Sequence, residues 1–308
     1  MLKGLIDRQG NRLSVSEALN KNVEIGFPRS MVEAIVRYAD RAWDGMVHPT
    51  DIITCVRQRA LKMTEEYYVP MDKTIDSMIG TSMHRFFTTE NQLHNFKVKN
   101  NLLSGEMDLL EIDETEKPHL ILYDFKVVKS FPVKKALGIY KEDVPVLDED
   151  GNQVYYKSGK KAGEAKTRKE VRQDFSKRDV RPYTRQLNLY RWIFNDMKAA
   201  GTLREDLKDL EITQLIVMQL LKEAGQIAAE NGIEHSSYPV PIPIVDEQLV
   251  KEFAIPRIKV LKEFMTENGD LPGIPEDPED VWQGRMCSGF CPVAESCKIY
   301  NGGSHPYI

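Results

Sequence analysis

The stretch Gly105–Ser130, GEMDLLEIDETEKPHLILYDFKVVKS, decides the fold. Two apolar runs, GEMDLLEID and HLILYDFKVV, flank the polar segment DETEKP, which is the pattern of two strands joined by a turn. With the preceding FKVKNNLLSG they predict a small antiparallel meander from about Asn95. Residues two apart in a strand share a face, so Asp124 and Lys126 point one way and Phe125 the other. Charges on a half-dry strand are costly unless something pairs with them. A structural salt bridge would account for an isolated D-x-K. Here Asp108 lies on the preceding predicted strand, after a Gly that permits a close turn, so pairing of the strands would bring Asp108 and Asp124 to one point.

Two converging carboxylates repel each other, and a hard divalent cation such as Mg²⁺ or Mn²⁺, held through oxygens and waters, relieves the repulsion. Such an ion can bind a phosphate oxygen and generate a hydroxide nucleophile. Lys126 could then orient the water or balance charge as the phosphorane forms.

Upstream, Thr50–Glu65 and Met71–Thr89 have helical spacing, with Thr50 as N-cap, so the N-terminal region is expected to be helical. Downstream, 128–180 is polar and charged, with DEDGN as a hairpin turn between PVL and QVYY, and reads as a surface insertion at about 131–180. A helix is predicted from near Pro182 to a stop at Gly201, then a strand in LEITQLIVMQLL and a helix over Asp246–Glu267. Strands, a helix and a returning strand predict a mixed α/β core. There is no internal repeat or low-complexity tract.

The 308 residues are 41% hydrophobic and 29% charged, an ordinary globular composition. The net charge of -5 argues against a blanket coating of nucleic acid but leaves room for a local basic surface. Between Lys157 and Arg181, ten Lys or Arg face four Asp or Glu; such a run is usually a solvated face, the alternative being phosphate contact. No apolar run is long enough to span a bilayer, and MLKGLIDRQGN places charges where an export signal would be apolar, so a soluble, cytoplasmic protein with no membrane partner is expected. No G-x-x-x-x-G-K-[ST] phosphate loop occurs, so the chain carries no helicase motor motif.

Order and spacing together resemble the PD-(D/E)xK nucleases, specifically their RecB-like branch. The matching positions are His84 in GTSMHRFF, Gly105 and Asp108 of G-x-x-D, Asp124 and Lys126 of D-x-K, and Gln186 and Tyr190 of Q-x-x-x-Y. The resemblance implies a restriction-endonuclease-like mixed sheet flanked by helices in a nuclease domain spanning 49–308, preceded by a segment 1–48 of no assigned role. It implies His84, Asp108, Asp124 and the Phe125 carbonyl as metal ligands, with Lys126 assisting the nucleophile. Gln186 and Tyr190, one helical turn apart, would brace the lysine or the nucleic-acid strand. His84 as a packed or solvated helix residue, and Gln186 and Tyr190 as helix surface and core, are the plainer alternatives. Strand alternation partly turns Glu106 and Glu111 away, and Glu106 is held in reserve.

Cys287, Cys291 and Cys297 lie in CSGFCPVAESC, while Cys55 is far upstream. Four thiolates brought together suit an iron–sulfur cluster or zinc; one isolated Cys plus a terminal triplet favours the cluster. A subgroup of RecB-like nucleases, including the AddB nuclease domain and the CRISPR-associated RecB-type exonucleases, is similar in having one Cys before the nuclease motifs and three near the C-terminus. That likeness implies a structural 4Fe-4S cluster held by a segment at 280–300. The sequence departs from the pattern in its C-x3-C-x5-C triplet, in Val127 after the lysine, and in a long interval between Lys126 and Gln186.

The function expected is a metal-dependent deoxyribonuclease, an exonuclease on single-stranded DNA or DNA ends. Phe86, Phe87, Tyr183 and Trp192 are stacking candidates unless they are core. The resemblance implies helicase, recombination or CRISPR-adaptation proteins as partners. A non-catalytic iron–sulfur DNA-binding or adaptor protein, and a structure-specific endonuclease of the same fold, are the alternatives.

Overall fold

A computed structural model of the chain describes residues 1–40, 43–83, 93–114, 117–223, 226–267, 269–273 and 277–297. The chain is mixed α/β. It divides into two compact units, the larger of Met1–Asp124, Pro182–Leu215 and Ile242–Ile308, the smaller of Phe125–Arg181 and Ile216–Pro241.

The N-terminal region does not begin helically, as had been expected. It opens with β1 (Leu2–Ile6) and β2 (Arg12–Ser14), an antiparallel hairpin. Asp7 forms the turn, its Oδ1 accepting from the backbone of Gln9 (2.9 Å) and Asn11 (2.8 Å). At Gly4 an added Cβ would sit 1.9 Å from the Leu13 carbonyl oxygen, so only glycine permits this approach. Helices α1 (Val15–Asn20) and α2 (Arg29–Ala39) follow. The expected helix Thr50–Glu65 is two, α3 (Pro49–Ile52) and α4 (Val56–Thr64). Pro49, set for the first helical position, moves the cap back to His48, and the chain breaks at 53–55 so that Cys55 N-caps α4. Next, β3 (Tyr67–Pro70) pairs in parallel with β1, so the first 48 residues are built into the larger unit and no boundary falls after them. Leu5, Ala18, Phe27, Val32, Ile35 and Met71 form the core beneath this sheet.

Helix α5 (Met71–Met83) leads to the meander, β4 (Leu93–Lys99), β5 (Ser104–Asp113) and β6 (His119–Val128), antiparallel as expected. The latter part of the expected helix Met71–Thr89 lies outside the described residues.

The segment expected as a surface insertion has secondary structure and shares a small core with residues of Ile216–Pro241. Helix α6 (Ser130–Leu137) precedes an antiparallel ribbon of β7 (Ile139–Pro145) and β8 (Thr167–Gln173). Asp148 closes the DEDGN turn, accepting from the backbone of Asp150 and Asn152. Ion pairs offset much of the basic run: Lys169 with Asp143, Arg172 with Glu142 and Glu170, Arg168 with Glu170. Val133, Ala228 and Ile233 form the smaller unit's core.

Helix α7 (Arg181–Ala199) buries Gln186 through Tyr190 in succession and stops at Gly201 in the left-handed conformation, φ +66°. Buried Asn188 donates to the Thr184 and Pro243 carbonyls and accepts from the Val245 amide, satisfying its amide on both sides. Then come β9 (Ile212–Leu221), α8 (Gln226–Ala229), β10 (Ser237–Ile242), α9 (Glu247–Thr266) and α10 (Arg285–Gly289).

The five-stranded sheet has the order β10-β9-β6-β5-β4. The Leu120 amide donates to the Glu211 carbonyl and the Lys222 amide to the Val128 carbonyl, so β6 and β9 advance together and run parallel. An antiparallel meander thus gains a parallel neighbour through the crossover that contains α7. No helix among the described residues is long and apolar enough to cross a membrane.

Candidate functional site

Strand register assembles the first candidate site. Leu110 stands opposite Leu122 and Leu109 opposite Tyr123, where the ladder ends; Asp108 and Asp124 are the next residues of the two strands beyond that last pair. The charges of both act on the Tyr190 hydroxyl, so the two carboxylates share one neighbourhood. Asp124 is 3% exposed and Asp108 half-buried.

Helix α7 supplies the rest. Gln186 and Tyr190 are each 7% exposed and four apart on one face. Gln186 Nε2 donates to Asp124 Oδ1 at 3.1 Å, fixing the orientation of a buried carboxylate. The Tyr190 hydroxyl has its pKa pushed up, first by burial and next by the charge of Asp124, with smaller contributions from Asp108 and Glu106. Its neighbourhood is therefore dry and negative, which keeps the phenol protonated. A Cβ on Gly105 would lie 2.6 Å from Tyr190 Cε1, so the glycine of G-x-x-D makes room for the tyrosine ring.

The structure brings Asp108, Asp124, Gln186 and Tyr190 together. Phe125 and Lys126 continue β6 in the smaller unit; the Phe125 side chain is 8% exposed and Lys126 is half-buried. His84, with Phe86 and Phe87, lies outside the described residues. Trp192 is 2% exposed and belongs to the core, so it offers no stacking surface. Glu106, expected to turn partly away, shares the Asp108 face of β5 because the two are two residues apart, and its charge reaches Tyr190. Glu111 faces the other way and meets Tyr123, whose pKa it helps raise after burial.

The second candidate site gathers the cysteines. Cys55, Cys287, Cys291 and Cys297 line one small cavity whose remaining wall is mainly apolar, with Leu61, Val281, Met286 and Val293. None is in a disulfide. The Cys55 thiol is pushed up to about 11, mainly by burial, then by the fields of Cys291, Cys287 and Cys297. Cys287 is raised by burial and by Cys291 and Cys297. Arg57 Nε donates to Cys297 Sγ at 3.3 Å and Arg57 Nη1 to the Pro272 carbonyl at 2.9 Å, a cation that sequence reading did not single out. Cys55, Cys287 and Cys291 also border a groove of about 810 Å³.

Among the described residues, no three Cys, His, Asp or Glu side chains stand close enough together to hold a single metal ion. Four thiols around one dry cavity, with a guanidinium at one of them, are nevertheless a donor set suited to a cluster in which each iron takes one thiolate. Asp108 and Asp124, sharing one neighbourhood, likewise suit a hard cation bound through oxygen.

No family model matches the chain, and no curated protein does. A solved structure described as "Crystal structure of SSO0001" is similar at 10% identity and a TM-score of 0.40, over 87% of this chain and 96% of that one.

Proposed function

We propose that the chain is a RecB-like PD-(D/E)xK nuclease with a restriction-endonuclease-like sheet, hydrolysing phosphodiester bonds in single-stranded DNA or at DNA ends. The observation that carries the reading is the gathering of Asp108 and Asp124, next beyond the Leu109–Tyr123 pair, around Tyr190, with Gln186 hydrogen-bonded to the buried Asp124.

In this reading Asp108 and Asp124 hold a Mg²⁺ or Mn²⁺ ion, with the Phe125 carbonyl and His84 as the ligands the family resemblance adds. The ion supplies Lewis acidity toward a phosphate oxygen and lowers the pKa of a bound water. Gln186 holds one Asp124 oxygen by donating to it, which keeps the carboxylate's orientation constant while substrate enters and leaves. Tyr190 excludes water from behind the carboxylates and, staying protonated, adds no charge to an already anionic face. Lys126, two residues along the strand from Asp124, would orient the attacking water or offset charge on the phosphorane.

Cys55, Cys287, Cys291 and Cys297 would hold a 4Fe-4S cluster with a structural task. An apolar wall suits it because a dry shell protects a cluster from hydrolytic loss.

End-labelled single-stranded, duplex and circular DNA incubated with Mg²⁺ or Mn²⁺ tests the activity and separates exonuclease from endonuclease. Product from linear but not circular DNA, lost in Asp108→Ala, is expected. Equal cleavage by wild type and Asp108→Ala would refute this assignment of the site.

A further inference from the structure

A buried ionic network outside both sites contacts the elements that build each of them. The Asp280 side chain is 1% exposed, its Oδ1 accepting from Arg185 Nη1 and its Oδ2 from Arg257 Nη2. Both guanidinium groups lie 4.4 Å from the centroid of the Phe253 ring, which restricts their planes. Their remaining reach goes to a single stretch of backbone. Arg257 Nη1 donates to the carbonyls of Ile52 (3.1 Å) and Thr54 (2.8 Å), and Arg185 Nη1 to that of Ile53 (3.3 Å).

Those three carbonyls end one residue before Cys55, the N-cap of α4. Asp280 is seven residues before Cys287, and its neighbour Val281 packs with Cys55 and Met286. Arg185 immediately precedes Gln186, the donor to Asp124. One carboxylate therefore connects the two segments that bring in cysteines to the turn of α7 that presents Gln186. A second carboxylate, Asp277, meets Arg185 at 3.9 Å but is 40% exposed, too solvated to replace Asp280.

We infer that Asp280, Arg185 and Arg257 form a positioning strut through which the cysteine site sets the placement of Gln186 against Asp124. The inference rests on the reading of Asp124 as the reaction site. Without the Asp280 charge two partly buried guanidiniums face each other and separate. Their separation moves the 52–54 backbone and the first turn of α7 together.

Hydrogen exchange on the full-length protein tests the strut without reference to cleavage. Asp280→Asn is expected to speed exchange of the 185–190 amides at least tenfold more than that of 193–199, and Cys287→Ser is expected to do the same. Ile35→Ala, in the separate core under β1, serves as a control that lowers stability without this selectivity. Should Asp280→Asn fail to fold, Arg257→Lys, which keeps a cation beside Asp280 and loses carbonyl contacts, should give the same selectivity in smaller measure.

In the cleavage assay Asp280→Asn should lower kcat at least tenfold with KM unchanged. Uniform exchange along α7 in Asp280→Asn or Arg257→Lys, or a selective change in those variants but not in Cys287→Ser, overturns the strut. A wild type that shows the exchange pattern but cleaves no DNA instead overturns the nuclease reading and leaves the strut standing.

Discussion

Asp108, Asp124, Gln186 and Tyr190 lie in the same unit as the four cysteines, yet the chain holds the two groups by opposite means. Asp108 and Asp124 sit on adjacent strands whose pairing is fixed by backbone hydrogen bonds, and Gln186 and Tyr190 come from a helix buried along that face. Their geometry is a by-product of folding. The cysteines come from segments roughly 230 positions apart, and apolar packing of Val281, Met286 and Val293 brings the later segment to Cys55. The first arrangement follows from strand pairing and helix packing; the second, on the proposed reading, would be completed by a cluster.

The contrast is most directly broken at Asp124. Asp124→Asn keeps the shape and the neighbouring amide but removes a charge, so metal-dependent cleavage should fall by about a thousandfold or more, as the loss of several kcal/mol of metal-borne stabilisation implies. Thermal unfolding should move little; an active variant would mean that the pair does not bind the ion. Cys287→Ala should behave in the reverse sense. Iron content falls, and stability drops by up to about 5 kcal/mol, the scale for releasing a loop of this length. Denaturant titration beside iron analysis checks both, and unchanged iron would remove the cluster from the account.

A smaller effect sharpens the comparison from the carboxylate side. Gly105→Ala puts a methyl 2.6 Å from the Tyr190 ring and should cost about 1–3 kcal/mol by overpacking, with cleavage reduced alongside. Pairing it with Tyr190→Leu should restore part of the stability, and no restoration would show that the ring is not what glycine accommodates.

The smallest effect concerns the start of α6 in the smaller unit. Glu223 accepts from the Ser130 amide and hydroxyl at the start of α6, and these bonds hold its carboxyl below the ordinary 4.5. A depressed carboxyl stabilises the fold above its unfolded pKa, and that contribution fades as pH falls through the depressed folded value. An NMR titration should place the Glu223 midpoint below 4.5, with amide exchange at the start of α6 rising as pH falls through it. Glu223→Gln should remove this acid dependence.

What could be read from the sequence follows the range of the interactions. The meander, the placement of Asp108 and Asp124 on adjacent strands, and the one-turn spacing of Gln186 and Tyr190 all rest on period-two or period-four rules within short segments, and these are legible. The DEDGN turn was legible for the same reason. The opening hairpin was not, because β1 is five residues long and its parallel partner β3 is some sixty residues away. The break before Cys55 was missed because Thr50 was taken as the cap although Pro49 already fixes the first helical position. Glu106 was undervalued although strand parity with Asp108 was available. Trp192 stays open between stacking surface and core in the sequence because nothing local distinguishes an exposed ring from a buried one; the structure makes it core. Asp280 gave no signal, since its two arginines stand 95 and 23 positions away.

Asn188 has a consequence for which sequences this fold can accept. Its side chain gives two protons to carbonyls and takes one from an amide, so a near-isosteric aspartate would aim lone pairs at the oxygens of Thr184 and Pro243. Lineages that keep this helix against the chain leaving β10 should retain a carboxamide at that point, whatever stands at positions 108 and 124.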